Sequence, residues 1–165
     1  MNPKPQFRTN GAIGALLDEY EKALTELKRT ISDLTREELI RIVDAETQNE
    51  ECKSIQTILS HIVQSGYTYV VEIRKWMGKP DDYRPVILLD SLGEYLTALD
   101  RMFHYTEQLF LDHPQVKLTE YDFDKKIKVR WGQSYDVEQL MQHAIVHVLR
   151  HRRQIEKFKL QMKTT

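Results

Sequence analysis

The sequence QLMQHAIVHVLRHRRQI, residues 139–155, decides the fold, because its apolar residues recur at the spacing of an amphipathic helix. His143, His147 and His151 follow one another at intervals of four residues within it. Side chains four residues apart in a helix lie one turn apart on nearly the same face, so two such imidazoles can reach a single ion. A third imidazole from elsewhere in the chain would complete a set of three protein ligands. Such a set leaves a fourth position open, as catalytic zinc requires.

The helical wheel of this segment separates the three histidines. At 100° per residue, His151 lies roughly 50° from the centre of the apolar stripe, His147 about 90° and His143 about 130°. His147 and His151 are therefore expected at the edge of the core, whereas His143 turns towards solvent and is the weaker ligand candidate. The apolar stripe used for this wheel consists of Val137, Met141, Ala144, Ile145, Val148, Ile155 and Met162.

Arg152 is the unusual residue on this wheel, because it points almost into the apolar stripe. An unpaired guanidinium there would be costly, so the sequence predicts a buried carboxylate or a ligand anion beside it. Asp18, Glu19, Glu94 and Asp100 are all possible partners.

Apolar spacing predicts three further long helices and a short one. Thr35, Ser54, Ser91 and Ser134 are residue types that cap helix N-termini, and residues 44–51 form a polar connector. The predicted helices cover about residues 10–32, 35–43, 54–78, 91–113 and 134–161. The stripe of the second long helix contains Ile55, Ile58, Leu59, Ile62, Tyr69, Val70, Ile73 and Met77, with His61 on its flank at the seam between helices.

Residues 121–131 alternate between apolar and polar side chains on either side of a charged turn. This period of two predicts a small β-hairpin before the last helix, which could wall off one end of the helical seam. The sequence therefore predicts an all-α fold, a four-helix bundle with a small β-hairpin, in one domain over residues 1–165.

Composition narrows the classes of function. The chain has 24 basic and 25 acidic side chains, so it has no excess of positive charge to attract phosphates. Nucleic acid is therefore not expected as a partner. The single cysteine, Cys52, cannot form an internal disulfide, and residues 1–6 lack the apolar core of a signal peptide, so a cytoplasmic location is expected. No apolar run approaches the roughly 20 residues of a membrane span, so a soluble protein is expected.

The segment Ile58-Leu59-Ser60-His61-Ile62 and the pattern His147-x-x-x-His151-Arg152-x-Gln154-Ile155 together resemble the DinB/YfiT family. The similarity extends from the first long helix through Phe158. The resemblance implies an up-up-down-down or related four-helix bundle that binds a divalent metal, zinc or nickel, through His61, His147 and His151. It also implies a homodimer.

The resemblance further implies a metal-dependent enzyme that acts on a small molecule, either a hydrolase or a thiol S-transferase using a low-molecular-weight thiol such as bacillithiol. Three neutral imidazoles around an ion with an open position would activate water or a thiol at neutral pH. Arg152 and Gln154 are candidates for orienting the substrate or supporting a ligand, and no catalytic acid or base is evident. Arg153 stands where many relatives have glycine, and Val146 where a polar residue often precedes the first histidine.

A different class of protein fits the same residues. A non-catalytic, dimeric helical bundle could use these histidines to satisfy its interior or to bind metal structurally or incidentally. Structural zinc sites normally have four protein ligands, so Glu72 or His143 completing the shell would favour this alternative.

Overall fold

Four long α-helices and one short helix make up most of the computed structural model, which describes residues 7–164. Residues 1–6, on which the expectation of no signal peptide rests, lie outside this range. The helices are α1 (Gly11–Ile31), α2 (Arg36–Ile40), α3 (Ile55–Trp76), α4 (Leu92–Asp112) and α5 (Val137–Thr164). Short 3₁₀ turns cover Glu50–Cys52 and Phe123–Lys125, and two strands, β1 (Ile127–Lys128) and β2 (Ser134–Tyr135), precede α5.

The four long helices pack in a closed ring. α1 packs against α5 and α4, and α3 packs against α4 and α5, so α5 lies between α1 and α3. Apolar residues at three- and four-residue spacing face the inside of this ring, where Tyr20, Leu24 and Ile58 are almost wholly buried. Full burial of such a side chain stabilises the fold by about 1.5–3 kcal/mol. The predicted four-helix bundle is therefore observed, and the α3–α5 contact brings His61 towards the last helix.

Side-chain caps fix where the helices begin. Thr35 and Glu38 form the predicted capping box at α2, and the Ser54 hydroxyl caps α3 by accepting a hydrogen bond from the backbone N–H of Thr57. At α4 the Ser91 hydroxyl accepts from the Glu94 backbone N–H. These caps satisfy backbone donors that have no partner within the helix.

The predicted hairpin is present, but its turn is displaced. β1 and β2 are antiparallel with Ile127 opposite Tyr135, so the turn spans residues 129–133 and not the charged residues 124–126. The charged segment instead forms a 3₁₀ turn, in which the Asp122 side chain accepts from the Asp124 backbone N–H. Gly132, at φ +92°, supplies a positive φ in the observed turn.

Two predicted helix boundaries are also wrong. The short helix was expected to reach residue 43, but it ends at Ile40 because the following backbone becomes extended and Ile42 pairs with Ser54 in an isolated bridge. The last helix was expected to be capped by Ser134, which lies in β2. Asp136 takes this role, since its carboxylate accepts from the Gln139 backbone N–H at 2.8 Å and its own N–H donates to Gln139 Oε1 at 3.1 Å.

Within residues 7–164, none of the helices combines the length and the apolar character that crossing a lipid bilayer requires.

Candidate metal centre

Three imidazoles meet at the seam between α3 and α5. His61 comes from the second turn of α3, and His147 and His151 come from successive turns of α5. The ring centroids are 4.8 Å apart for His61 and His147, 5.1 Å for His61 and His151, and 4.5 Å for His147 and His151. One potential ligand atom from each ring lies within 4.8 Å of those from the other two. The structure thus brings together the three residues that the sequence singled out.

The Nε2 atoms of His61 and His147 face each other at 2.9 Å. In the absence of an ion, one of these nitrogens can carry a proton and donate a hydrogen bond to the other. If both rings hold their proton on Nδ1, both Nε2 lone pairs face the same point and can bind a cation. The same geometry therefore fits either a histidine–histidine hydrogen bond or two ligands of one metal.

His151 has a more definite orientation. Its Nδ1 lies 3.1 Å from Gln154 Oε1, an atom that can only accept a hydrogen bond, so Nδ1 carries the proton. The lone pair is then on Nε2, which is buried and has no hydrogen-bond partner. A buried polar atom without a partner is costly, and a bound cation at this position would remove the cost.

Burial keeps the histidines neutral. It lowers the pKa of His147 to about 2, with the neighbouring His151 adding to the effect, and it lowers the pKa of His151 to about 4. Burial also lowers the pKa of His61, although the Glu51 carboxylate beside it opposes the shift. Neutral imidazole is the form that binds metal, so all three rings are in the ligand state at pH 7.

Glu51 is a neighbour of the site that the sequence did not indicate. Its Oε2 lies 3.0 Å from Nδ1 of His61, on the side of the ring that faces away from His147, but the ring N–H is not aligned on it well enough for a hydrogen bond. A carboxylate on the outer nitrogen of a ligating histidine is a common means of orienting the ring. Glu51 lies in the polar run predicted as a connector, where no periodicity marks it.

The donor set fits a divalent transition metal. Two nitrogens at about 2.0–2.1 Å from a tetrahedral zinc ion lie roughly 3.4 Å apart. The observed separations bracket this value, from 2.9 Å between the two facing Nε2 atoms to at most 4.8 Å within the set. Imidazole ligands suit zinc, nickel, copper or iron, whereas magnesium and calcium prefer oxygen.

His143, the third histidine of α5, belongs to an aromatic cluster beside the site. Its ring lies 5.6 Å from Tyr69, 6.0 Å from Trp131 and 5.5 Å from Tyr135, centroid to centroid. It stacks on His147 at 6.2 Å but does not join the group of three. The other proposed fourth ligand, Glu72, accepts hydrogen bonds from the Tyr83 hydroxyl and the Arg130 backbone N–H.

A pocket of about 610 Å³ opens over His61 and His147. The loop between β1 and β2 contributes Arg130, Trp131 and Gln133 to its wall, so this hairpin borders one side of the pocket. Arg150 also lines it, and the sequence had given no reason to select that residue. A substrate-sized space therefore borders two of the three imidazoles, those of His61 and His147.

Arg152 lies outside this pocket, and its partner differs from all four predicted ones. The guanidinium pairs with Glu26 of α1, and its Nε lies 3.4 Å from Oε1 of Glu156 on α5. The side chain is 25% exposed, so it lies at the margin of the α1–α5 contact and not within the apolar stripe. Arg152 therefore pairs with Glu26 and does not line the pocket, whereas Gln154 contacts His151, one of the three candidate ligands.

Comparison with known proteins adds no relative: no protein-family profile matches this sequence, and no curated protein is significantly similar to it.

Proposed function

We propose that this protein is a divalent-metal-dependent enzyme in which His61, His147 and His151 hold the ion. The observation that carries the proposal is the buried, unpartnered Nε2 of His151, set beside the two facing Nε2 atoms of His61 and His147. A core that served packing alone gains nothing from leaving this atom unsatisfied.

The ligand count supports catalysis over a purely structural role. Among residues 7–164, the group that could hold an ion contains only these three side chains. Structural zinc sites are normally closed by four protein ligands, whereas catalytic sites keep one position for water or substrate. The adjoining pocket of about 610 Å³ gives a small molecule a route to such a position.

The residues of the chain have distinct roles in this proposal. Gln154 accepts from Nδ1 of His151 and so aims its Nε2 inward, while Glu51 lies against the outer nitrogen of His61. Trp131 and Tyr69 form an aromatic wall of the pocket. A divalent ion bound there would supply a Lewis acid that lowers the pKa of a coordinated water or thiol towards neutrality.

Membership of the DinB/YfiT family is part of the same proposal. It rests on the histidine pattern of the sequence and on the bundle that joins the two histidine-bearing helices. On this proposal the metal is zinc or nickel, and the reaction is that of a hydrolase or a thiol S-transferase acting on a small molecule, with a thiol such as bacillithiol as co-substrate. The proposal also includes a homodimer and a cytoplasmic location.

Metal binding by single-histidine variants tests the proposal. Tag-free protein is stripped with a chelator and titrated with zinc and nickel against a competing indicator. His61→Ala, His147→Ala and His151→Ala should each weaken binding at least 100-fold while circular dichroism stays helical. His104→Ala is the matched control, because that histidine on α4 is 73% exposed, and it should bind as the wild type does. One ion bound equally well by all variants would refute the site.

Activity is then measured with the loaded protein on activated esters and on thiols paired with electrophiles. Turnover that disappears with the chelator and returns with metal supports an enzyme. The absence of turnover in every pairing, with metal bound at all three histidines, favours the second candidate, a non-catalytic bundle. That candidate has one specific observation in its favour, since the 2.9 Å contact between His61 and His147 can satisfy those two rings without any metal.

A further inference from the structure

A second cavity, of about 680 Å³, lies between α3, α4 and the segment that joins them. It borders a neighbouring face of α3 from the histidine pocket, and Gln64 lines both spaces. Its volume falls within the roughly 300–1,000 Å³ that is typical of sites for drug-sized ligands. Nothing in the proposed metal chemistry uses this cavity.

The wall of this second cavity is largely apolar. Val63 and Tyr67 come from α3, Ala98 from α4, and Ile87 and Leu89 from the joining segment. Burial of an apolar body against these side chains would be favourable by about 25 cal/mol per Å² removed from water. The cavity therefore suits the hydrocarbon part of a small molecule.

Two arginines give the cavity its charge. The Arg84 guanidinium stacks over Tyr67 at 3.8 Å and over Tyr105 at 4.5 Å, measured to the ring centroids. Stacking restrains this side chain while it leaves the N–H donors at the edge of the guanidinium available. Within residues 7–164, neither Arg84 nor Arg101 forms an ion pair, in contrast to Arg74, which is 3.1 Å from Asp81.

One carboxylate also lines the cavity, but it is already engaged. Glu94 accepts from the Ser91 hydroxyl at 2.7 Å and lies in the first turn of α4, where the helix dipole favours negative charge. Glu94 keeps its negative charge, but within residues 7–164 it forms no ion pair with Arg84 or Arg101, so the cavity offers two guanidinium groups beside an apolar wall. This combination is complementary to a carboxylate with a hydrocarbon body.

We propose that this cavity binds an amphipathic carboxylate, with the carboxylate held by Arg84 and Arg101 and the hydrocarbon body against Val63, Leu89 and Ala98. The site is separate from the metal centre and does not depend on it.

Isothermal titration of metal-free protein with decanoate and with 1-decanol, both below their aggregation concentrations, tests the proposal. Metal-free protein is used so that the carboxylate cannot bind an ion at the histidines. The wild type should bind decanoate at least tenfold more tightly than decanol, and the preference should shrink as salt is raised. Arg84→Gln and Arg101→Gln should each weaken decanoate binding severalfold and leave decanol binding unchanged.

Two further variants locate the binding. Ala98→Phe fills the cavity and should weaken both probes at least tenfold, while Arg153→Gln, which removes an exposed arginine of α5 outside the cavity, should change neither. Thermal unfolding confirms that each variant is folded. Equal affinity for the two probes would overturn the proposal, and so would binding that survives Ala98→Phe. The absence of binding, as expected if a second copy of the chain covers the exposed Ile87, would also overturn it.

Discussion

At the scale of single residues, tautomers decide what the candidate centre can do. The hydrogen bond from His151 to Gln154 assigns the proton to Nδ1 and leaves Nε2 facing His61 and His147. No wheel or motif contains this information, although the Gln154 position was part of the sequence pattern. The sequence could therefore identify Gln154 as a candidate. Only the three-dimensional structure shows that Gln154 orients the ring of His151.

Replacement of Gln154 tests this positioning role. Gln154→Leu removes the acceptor for Nδ1 of His151 and should weaken zinc binding about 10- to 100-fold, the usual effect of losing an outer-shell partner. Gln154→Glu keeps an acceptor and should retain most of the affinity. Chelator competition measures both, with Gln142→Leu as the control on an exposed position of the same helix. Unchanged affinity in Gln154→Leu would show that the orientation of His151 does not depend on this residue.

The lowered pKa values predict how the metal-free protein responds to acid. His147 and His151 have folded-state pKa values of about 2 and about 4, below the value of about 6.5 in an unfolded chain. The unfolded state therefore takes up more protons below pH 6.5, so the free energy of unfolding should fall as the pH drops from about 6.5 towards 4. Each extra proton contributes up to about 1.4 kcal/mol per pH unit.

Urea unfolding at pH 7.5, 6.0 and 5.0 measures this dependence. His151→Gln, which cannot be protonated, should show a shallower loss of stability over the same interval. Parallel pH profiles for the wild type and this variant would contradict the assignment of His151 as a buried neutral imidazole.

At the scale of helices and strands, the apolar stripes were predicted well and the connections less so. In the stripe of α3, the residues from Ile55 to Ile73 are buried as expected, and only Met77, at the helix end, is partly exposed. A helix repeats its environment every turn, so its buried face can be read from spacing. The hairpin shows the limit of this reasoning: Ile127 and Val129 are buried, but Tyr121 and Phe123 in the same alternating pattern are exposed.

Close packing of α3 against α4 predicts contrasting effects at two glycines. A methyl group at Gly66 would overlap the side chain of Met102, which is fully buried and accepts a hydrogen bond from the Tyr20 hydroxyl. Gly66→Ala should therefore destabilise the fold by about 1–3 kcal/mol, the typical cost of overpacking. At Gly93 the methyl group meets open space, so Gly93→Ala should be neutral or stabilising by up to about 1 kcal/mol.

Chemical denaturation of the two variants beside the wild type gives both values. A Gly66→Ala protein as stable as Gly93→Ala would show that α3 and α4 do not approach as closely as described.

At the scale of the whole molecule, the packing order of the helices determines which charges meet. Arg152 pairs with Glu26 because α5 lies against α1, whereas the predicted partners Glu94 and Asp100 belong to α4, which is not a neighbour of α5 in the ring. The sequence shows which face of each helix is buried, but it does not state which helices are adjacent. For the same reason it could suggest that His61 meets His147 and His151 without demonstrating it.

An ion that joins α3 to α5 should stabilise the whole bundle. A ligand that binds only the folded state adds about 2.7 kcal/mol at 100 times its dissociation constant, so zinc should raise the melting temperature of the wild type by several degrees. His61→Ala and His151→Ala should lose this increase, and His104→Ala should keep it. Scanning calorimetry with and without zinc gives the comparison. An equal rise in all of these proteins would indicate that zinc acts elsewhere on the molecule.

The most direct measurement is an anomalous difference map from crystals of zinc-loaded protein, recorded on either side of the zinc absorption edge. The account predicts one strong peak at about 2.0–2.1 Å from a ring nitrogen of each of His61, His147 and His151, with no fourth protein ligand. Absence of a peak between these rings, or a peak closed by a fourth side chain, would contradict it.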